Sequence, residues 1–374
     1  MVVTREEETA MSVPVLTRLE LNRATLARQM LLVRADRPIV EAIEFLSGPQ
    51  AQISEGPYQA LWSRLEGFRH EAMTRLIEER TLLRATTMRG TLHLHSVPDM
   101  VGIRKLVQPV LERMWGGQFA KRFGAGDRQA MIRAGRRLLD KGPMTAGALR
   151  KALVERFPEP DPLSMTTLLQ VSDTLVQIPP TRIWGSGHAP VLTRIGNWIE
   201  PPKPDITRRQ LVKRYLAAFG PASVADMQAW CGLTKLDADF KAVRGELVEF
   251  RDEAGRVLYD LPEAPRPDAE TPAPIRFLPV YDNVILGFAD RSRMVAAADV
   301  GRLWQGETNR GSVLIDGMVG ASWGFAKTKA GGVLDILTGT PVTGKTREGL
   351  EAEAEAFLAF MTDGKGGEMK IEAM

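Results

Sequence analysis

Two glutamines stand one residue apart in the segment SGPQAQISEGP, and their type and spacing raise the question of whether they have a chemical role. Gln50 and Gln52 are neutral amides, whereas hydrolytic sites usually contain carboxylates, a metal ion or an activated nucleophile. Taken alone, such a pair is most simply explained as polar turn residues that satisfy backbone groups beside Gly48-Pro49. The remainder of the chain decides whether the two side chains have a chemical role.

The common cofactor and nucleophile motifs do not account for this sequence. Its four histidines are too scattered for a convincing metal site; His93 and His95 share one face of a predicted strand but have no acidic or cysteine partner nearby. The segment GTPVTGKT, residues Gly339 to Thr346, ends in Gly-Lys-Thr as a phosphate-binding loop does. It does not follow a clear buried strand into a long apolar helix, so we expect no nucleotide site, no cofactor and no metal.

Composition limits the class of protein. With 374 residues, 44% hydrophobic and 25% charged, the chain has the profile of a soluble globular protein of two to four domains. There is no apolar run of about 20 residues and no signal peptide, so we expect no membrane association. The single cysteine, Cys231, excludes an intrachain disulfide and is predicted to pack in the core. A reducing cytoplasm is the expected location.

Charge is distributed unevenly along the chain. The net charge is +3, but residues 61–156 contain 19 basic and 9 acidic residues, whereas residues 348–374 contain 2 basic and 7 acidic residues. A local excess of positive charge is typical of a protein that binds a polyanion such as nucleic acid, although solvated helix faces would give the same count.

Helical spacing dominates the first 260 residues. LNRATLARQMLL and RPIVEAIEFL place apolar residues three and four apart, and TLLRATTMRGTLHLHSV predicts two strands joined at Arg89-Gly90. Three helices followed by such a ribbon is the order of a winged helix. The order recurs: Gly142-Pro143-Met144-Thr145 aligns with Gly220-Pro221-Ala222-Ser223 at an offset of 78 residues, and Gly48-Pro49 has a comparable place. Thr145 and Ser223 are predicted N-caps.

The predicted fold class is mixed α and β (α+β), mainly helical, with three tandem winged-helix units and a C-terminal β-rich module. In the second unit, PLSMTTLLQVSDTLVQI is the predicted third helix, and REGLEAEAEAFLAFM closes the chain as an acidic helix. The predicted boundaries are a flexible tail at 1–18, winged helices at 19–126, 127–203 and 204–262, a linker at 263–274 and the module at 275–374.

Five segments together resemble one protein family. LNRATLARQMLL, LSGPQAQISEGPYQALWSRL, MRGTLHLHSVPDM, LPVYDNVILGFADRSR and GSVLIDGMVGASW lie in the family's order between about residue 20 and about residue 360. They resemble the AlkZ-like (YcaQ-like) DNA glycosylases, bacterial enzymes built from tandem winged helices. MRGTLHL and YDNVILGFADRSR are the most specific of these segments.

The resemblance implies a role for the two glutamines. The family's catalytic motif is a glutamine, one intervening residue, and then glutamine or aspartate; Gln50-Ala51-Gln52 matches the glutamine form. The implied activity is hydrolysis of the N-glycosidic bond of N-alkylated purines in duplex DNA, including bulky and interstrand-crosslinked bases, in base excision repair.

This activity explains why amides could suffice. A guanine alkylated at N7 is cationic and leaves as a neutral base without a general acid. A glutamine has an acceptor oxygen and two donor hydrogens, so it can place a water or face the developing sugar cation without ionising. We hypothesise that Gln52 orients the water and that Gln50 assists it or faces the sugar. No lysine stands near the motif in the sequence, so the expected enzyme is monofunctional.

Candidate DNA contacts lie at predicted hairpin tips and basic turns. They are Arg89 and His93 in the first ribbon, Arg182 and His188 beside the tip of the second, and Arg291 and Arg293 in the segment ADRSR. Phosphate contacts of this kind position a protein without reading sequence. Two alternatives stay open: each residue could be solvated surface, and Asp290-Arg291 could be a buried ion pair.

A second class of protein also fits a chain of winged helices, namely a non-catalytic DNA-binding protein or transcription regulator. Such a regulator usually needs a dimer interface and a recognition helix rich in Arg, Asn or Gln. The predicted third helix of the second unit is mostly apolar, which favours the enzyme. We expect it to act as a monomer on double-stranded DNA, in the cytoplasm and associated with the nucleoid.

Overall fold

The computed structural model describes residues 13–299, 301 and 310–374, and within them the chain forms 16 α-helices and three β-sheets. The mixed α+β class is therefore confirmed. The predicted flexible tail is too long, because Val15–Leu16 forms a strand that pairs in parallel with Arg251 and Asp252. The remainder of that tail, residues 1–12, lies outside the described residues.

The N-terminal part contains one winged-helix arrangement flanked by further helices. Its elements are β1 (Val15–Leu16), α1 (Arg18–Arg28), α2 (Ile39–Phe45), α3 (Gly56–Trp62), α4 (His70–Glu78), β2 (Leu82–Thr86), β3 (Leu92–Ser96), α5 (Val97–Leu106), α6 (Gln108–Gln118) and α7 (Ala120–Phe123). Helices α2 to α4 followed by the β2–β3 wing give the expected order. The wing turns through a short 3-10 segment, Met88–Gly90, in which Arg89 has a φ of 54°.

The middle part repeats this order twice. Its elements are α8 (Arg128–Asp140), β4 (Met144–Thr145), α9 (Ala146–Arg156), α10 (Pro162–Ser172), β5 (Leu175–Gln177), β6 (Val191–Arg194), α11 (Ile195–Trp198), α12 (Arg208–Phe219), α13 (Val224–Cys231), α14 (Asp237–Val243), β7 (Val248–Asp252) and β8 (Val257–Asp260). The predicted N-caps are confirmed: Thr145 accepts the amide hydrogen of Ala148 at 3.1 Å, and Ser223 accepts that of Asp226 at 3.2 Å.

The predicted third helix of the second unit is wrong in its second half. Helix α10 ends at Ser172, and Leu175–Gln177 forms strand β5. The β-type residues Leu175 and Val176 are 5% and 0% exposed, and β5 pairs with β2 on one side and β6 on the other. Tertiary pairing therefore overrides the helical spacing there.

The first two wings join into one continuous antiparallel sheet of order β3-β2-β5-β6-β4. Each Gly-Pro pair is followed by a residue that pairs with the second strand of a wing: Gln50 lies opposite His93, and Met144 lies opposite Leu192. In the third repeat, Ala222 pairs with residue 259 in the same way. Gln50 and Met144 thus lie at the two outer edges of the joined sheet.

The C-terminal part is a five-stranded sheet with one long helix packed on it. Its elements are β9 (Arg276–Leu278), α15 (Asn283–Leu286), β10 (Gly311–Ile315), β11 (Met318–Thr328), β12 (Gly331–Thr338), α16 (Gly344–Met361) and β13 (Gly367–Ala373). The strand order is β13-β12-β11-β10-β9. The chain ends in a strand and not in the predicted helix, because β13 returns to pair in parallel with β12.

Buried polar and apolar contacts join these parts. Arg28 in α1 forms an ion pair with Asp260 in β8 at 2.6 Å, with both side chains fully buried. Cys231 is buried and free, as predicted, and burial raises the pKa of its thiol to about 11. No helix among the described residues is long and apolar enough to span a membrane.

Candidate active site

The segment that carries both glutamines extends the joined sheet along the free edge of β3. The amide of Ala51 donates to the carbonyl of Leu92 at 2.7 Å, and the amide of Leu94 donates to the carbonyl of Pro49 at 3.1 Å. Ala51 is fully buried. These backbone hydrogen bonds fix where Gln50 leaves the main chain.

Gly48 turns the chain into this edge. Its φ is 86°, in the left-handed region that favours glycine. A Cβ at this position would lie 2.3 Å from the ring of His95 and 2.9 Å from the carbonyl oxygen of Leu94. The carbonyl of Gly48 accepts a hydrogen bond from Nδ2 of Asn283 at 3.0 Å. The glycine is therefore required by its backbone conformation and by the lack of space for a side chain.

Gln50 is held by a cation inside the protein. Its side chain is nearly buried, with 8% of the residue exposed, and its Oε1 accepts a hydrogen bond from Nη2 of Arg89 at 2.7 Å. The same Nη2 donates to Oδ1 of Asn283 at 3.1 Å, and Nη1 donates to the carbonyl of Trp230. Burial lowers the pKa of Arg89 to about 10, so the guanidinium stays charged at neutral pH.

Gln52 has a different environment. It is exposed, and its Oε1 accepts the backbone N–H of Leu92 at 3.3 Å. A hydrogen bond of that length is weak, and a carbonyl oxygen has a second lone pair. Gln52 can therefore accept a hydrogen bond from a water or a substrate, whereas the oxygen of Gln50 already accepts one from Arg89.

Two arginines shape the loop that follows Gln52. Arg84 is 2% exposed and donates to the carbonyls of Ala51 and Ser54 at 3.0 Å and 2.9 Å. Burial lowers the pKa of Arg84 to about 10. Arg182, from the tip of the second wing, donates from Nη1 to Oγ of Ser54 at 2.9 Å. The loop is thus fixed by both joined wings.

A buried ion pair anchors the C-terminal part beside Gln50. Arg64 donates to both carboxylate oxygens of Asp282 at 2.9 Å and 2.8 Å, and the two side chains are 2% and 3% exposed. Asp282 also caps α15 by accepting the amide hydrogen of Val284 at 2.9 Å. Gln50, Arg64, Asp282 and Asn283 line a small cavity of about 10 Å³, close to the least volume that holds one water.

An open groove lies next to the same loop. Its volume is about 530 Å³, within the range of ligand sites in proteins. Ile53 and Glu55 form one side, and the tip of the second wing, including Trp184, forms another. Phe325 and Lys327 from β11 also line the groove. The groove is mainly aromatic and apolar, with one carboxylate and one amine among these residues.

Two of the predicted DNA contacts are wrong. His93 is 0% exposed, because it lies in β3 beneath the Gln50 segment, and burial together with the charge of Arg89 lowers its pKa well below 6.5. Arg293 is 4% exposed, donates to the carbonyl of Pro221 at 2.9 Å and stacks on Phe288. Neither side chain reaches a surface that DNA could contact.

The other predicted contacts have different positions. Arg89 is not on a free hairpin tip but beside Gln50, and Arg182 is partly buried against Ser54. His188 is exposed at the tip of the second wing. Arg291 is also exposed, and Asp290 pairs with Arg256 instead of with Arg291. The exposed residues remain candidates for phosphate contacts.

The segment GTPVTGKT has more of the local order of a phosphate-binding loop than we expected. Gly339 and Gly344 are spaced as in such a loop, strand β12 ends at Thr338 just before it, and α16 begins at Gly344. Strand β12 is antiparallel to β11 but parallel to β13, so β12, α16 and β13 form a parallel βαβ unit at the edge of a mixed sheet. Lys345 and Thr346 are exposed, and we assign no nucleotide site there.

Sequence analysis missed several residues that shape this site. Asp282 and Asn283 belong to the segment YDNVILGFADRSR, so the resemblance included these residues but did not indicate what they contact. Arg64 likewise belongs to the segment LSGPQAQISEGPYQALWSRL, and its partner lies at residue 282. Arg84 had no signal of its own, because its partners lie at residues 51 and 54.

Comparison with known families assigns the class of protein. The family model described as "DNA glycosylase AlkZ-like" matches residues 43–360. The chain therefore belongs to the AlkZ-like family of DNA glycosylases.

A solved structure shares the fold. It is the DNA glycosylase AlkZ of Streptomyces sahachiroi, which is 20% identical in sequence and has a TM-score of 0.74 over 96% of this chain and 100% of that chain. A search of curated proteins gives no match.

Proposed function

We propose that the protein hydrolyses the N-glycosidic bond of N-alkylated purines in duplex DNA, with Gln50 and Gln52 as its catalytic residues. Membership in the AlkZ-like family provides the DNA glycosylase class. The observation that carries the proposal is the pair of unlike amides at the edge of β3: one is held by Arg89 and the other is open to solvent.

The reaction needs no general acid at the base. The bond between C1′ and N9 breaks, and its electron pair passes to the cationic base, which leaves as a neutral purine. A water oxygen then bonds to C1′ of the oxocarbenium-like sugar and loses a proton to solvent. Gln52 accepts one hydrogen of that water through the free lone pair of Oε1. Unmodified purines stay uncut, because an amide cannot protonate them.

The open groove supports a substrate range that includes bulky and crosslinked bases. An enzyme that flips its base encloses it in a closed pocket. Here Gln50 lines a cavity of about 10 Å³, and a groove of about 530 Å³ lies beside the loop that follows Gln52. A substituent that remains attached to DNA can occupy an open groove.

The enzyme is proposed to be monofunctional, monomeric and active at the nucleoid in the cytoplasm. A lyase needs an amine nucleophile, and Lys327 is the amine that lines the groove. Borohydride trapping on lesion DNA tests this point: we expect no covalent adduct, and an adduct lost in Lys327→Gln would refute a monofunctional mechanism.

The substrate proposal is tested by base release from four matched duplexes. They contain N7-methylguanine, a bulky N7-alkylguanine, an interstrand N7 crosslink or unmodified guanine at one position. We expect release from the three alkylated duplexes and none from the unmodified one. Binding to all four without release from any would favour the non-catalytic alternative.

A further inference from the structure

We infer that Arg89 is a positioning residue that turns the amide of Gln50 so that its nitrogen, and not its oxygen, faces the DNA. The inference rests on the proposed function, since it concerns which atom of Gln50 acts in that reaction. Gln50 and Gln52 then have different roles in that reaction.

The orientation of the amide follows from what its neighbours can do. A guanidinium has five donor hydrogens and no acceptor, so the Gln50 atom 2.7 Å from Nη2 of Arg89 must be the oxygen. The partners of Asn283 determine the orientation of its side-chain amide in the same way. Its Oδ1 accepts from Arg89 at 3.1 Å, and its Nδ2 donates to the carbonyl of Gly48 at 3.0 Å. Each amide therefore has one consistent orientation.

Arg89 is itself fixed by more than Gln50. Its Nη1 donates to the carbonyl of Trp230 in α13, and its backbone has a φ of 54° in the wing turn. The guanidinium is thus held by the first wing, the third repeat and α15. A cation fixed from three sides keeps the oxygen of Gln50 turned inward.

The nitrogen of Gln50 is then the free end of the side chain. Within the described residues, Nε2 of Gln50 has no hydrogen-bond partner, and it is not among the enclosed polar atoms that lack one. Nε2 is therefore not fully enclosed, and it has two donor hydrogens without a protein acceptor. The oxygen of Gln52, by contrast, accepts one weak hydrogen bond from the described part of the chain, donated by the backbone of Leu92.

A donor at this point suits the departing base. When the glycosidic bond breaks, its electron pair enters the purine, and the acceptor atoms of the ring gain electron density. A hydrogen bond donated there is stronger in the transition state than in the bound substrate. Gln50 therefore acts on the leaving purine and Gln52 on the water.

The decisive variant is Gln50→Glu. It keeps the length of the side chain and an oxygen toward Arg89, but it removes both donor hydrogens. We expect about a hundredfold loss of single-turnover base release, the cost of one missing donor in an active site, with DNA affinity unchanged. If the oxygen were the working atom, the carboxylate would retain or increase the wild-type rate, and that result would overturn the inference.

Arg89→Ala tests the positioning itself, with Arg113→Ala as its matched control. Arg113 donates to the carbonyl of Gly232 at 2.6 Å, close to the Trp230 carbonyl that Arg89 uses, and has no contact with Gln50. We expect Arg89→Ala to lower kcat with little change in KM and to be partly rescued by added guanidinium ion. Arg113→Ala should match the wild type in both constants.

An NMR measurement separates this inference from the proposed function. The side-chain ¹⁵N signal of Gln50 is identified as the one lost in Gln50→Met. It should move in Arg89→Ala, stay in Arg113→Ala, and shift when N7-methylguanine duplex is added to the wild type. If the wild type releases no base but the signal behaves in this way, the proposed function fails and the positioning holds. If the Gln50 signal were unchanged in Arg89→Ala, Arg89 would not position the Gln50 amide, and the inference would be overturned.

Discussion

Gln50 and Met144 occupy equivalent edges of the sheet that the first two wings form together. Each residue follows a Gly-Pro pair, and each pairs with the second strand of its own wing, Gln50 with His93 and Met144 with Leu192. The equivalent residue is a methionine in the second repeat and Ala222 in the third, and neither side chain contains an amide. The fold therefore does not require a glutamine there, which supports a chemical role for Gln50.

Gly48→Ala should destabilise the protein strongly and disturb the site. The new Cβ would lie 2.3 Å from the ring of His95, and the backbone has a positive φ of 86°. Gly67→Ala is the matched control, because Gly67 has a φ of 57° but nothing within 4 Å of a Cβ. We expect about 1 kcal/mol for the control and at least twice that for Gly48→Ala in urea unfolding. Equal losses would show that space at Gly48 does not matter.

Asp282→Asn should also be costly, because it leaves Arg64 charged and buried. Removing one partner of a buried ion pair typically costs about 3–5 kcal/mol. Arg347 and Glu351, an exposed pair on α16 at 2.5 Å, provide the comparison; Glu351→Gln should change the free energy of unfolding by less than about 0.5 kcal/mol. Denaturant titration of both variants checks the prediction, which a wild-type midpoint for Asp282→Asn would contradict.

Stability should fall as the pH is lowered below about 6.5. Burial lowers the pKa of His95 to about 3, and burial with the charge of Arg89 lowers the pKa of His93 well below 6.5. Because the unfolded chain binds protons that the folded chain cannot, this stability is complete above the unfolded pKa near 6.5 and is lost toward pH 3. Each histidine contributes up to about 1.4 kcal/mol per pH unit.

Urea midpoints measured between pH 8 and pH 5 test this dependence. We expect a plateau above pH 7 and a decline below 6.5, with a smaller decline in His95→Asn. A midpoint that is flat over the whole range would show that the two histidines are not buried in their neutral form.

Arg291→Ala should weaken DNA binding without changing the chemical step. Arg291 is exposed, and its side chain makes no hydrogen bond or ion pair with the described residues. Loss of one phosphate contact lowers the slope of log K against log salt by about 0.9. Arg347→Ala, on α16, serves as a control for charge alone. An unchanged slope in Arg291→Ala would remove this residue from the DNA interface.

The sequence predicted the architecture better than the contacts. Helical spacing, Gly-Pro repeats and N-caps such as Thr145 are local signals, and the structure has the corresponding elements. The joined wings, the strand β5 and the partners of Arg89 depend on pairing between distant segments, which local patterns do not encode. His93 and Arg293 show the same limit, because type and position in a basic turn do not reveal burial.

The catalytic role of the two glutamines is tested most directly by comparing single-turnover base release by the wild type and by a Gln50→Met, Gln52→Ala double variant. The substrate is a duplex with one N7-methylguanine, and abasic products are cleaved with alkali and resolved on a gel. Methionine is chosen at position 50 because Met144 occupies the equivalent edge. We predict base release by the wild type and its loss in the variant, at least a hundredfold, with DNA binding retained. Equal release by both proteins would contradict the assignment of the two glutamines as the catalytic pair.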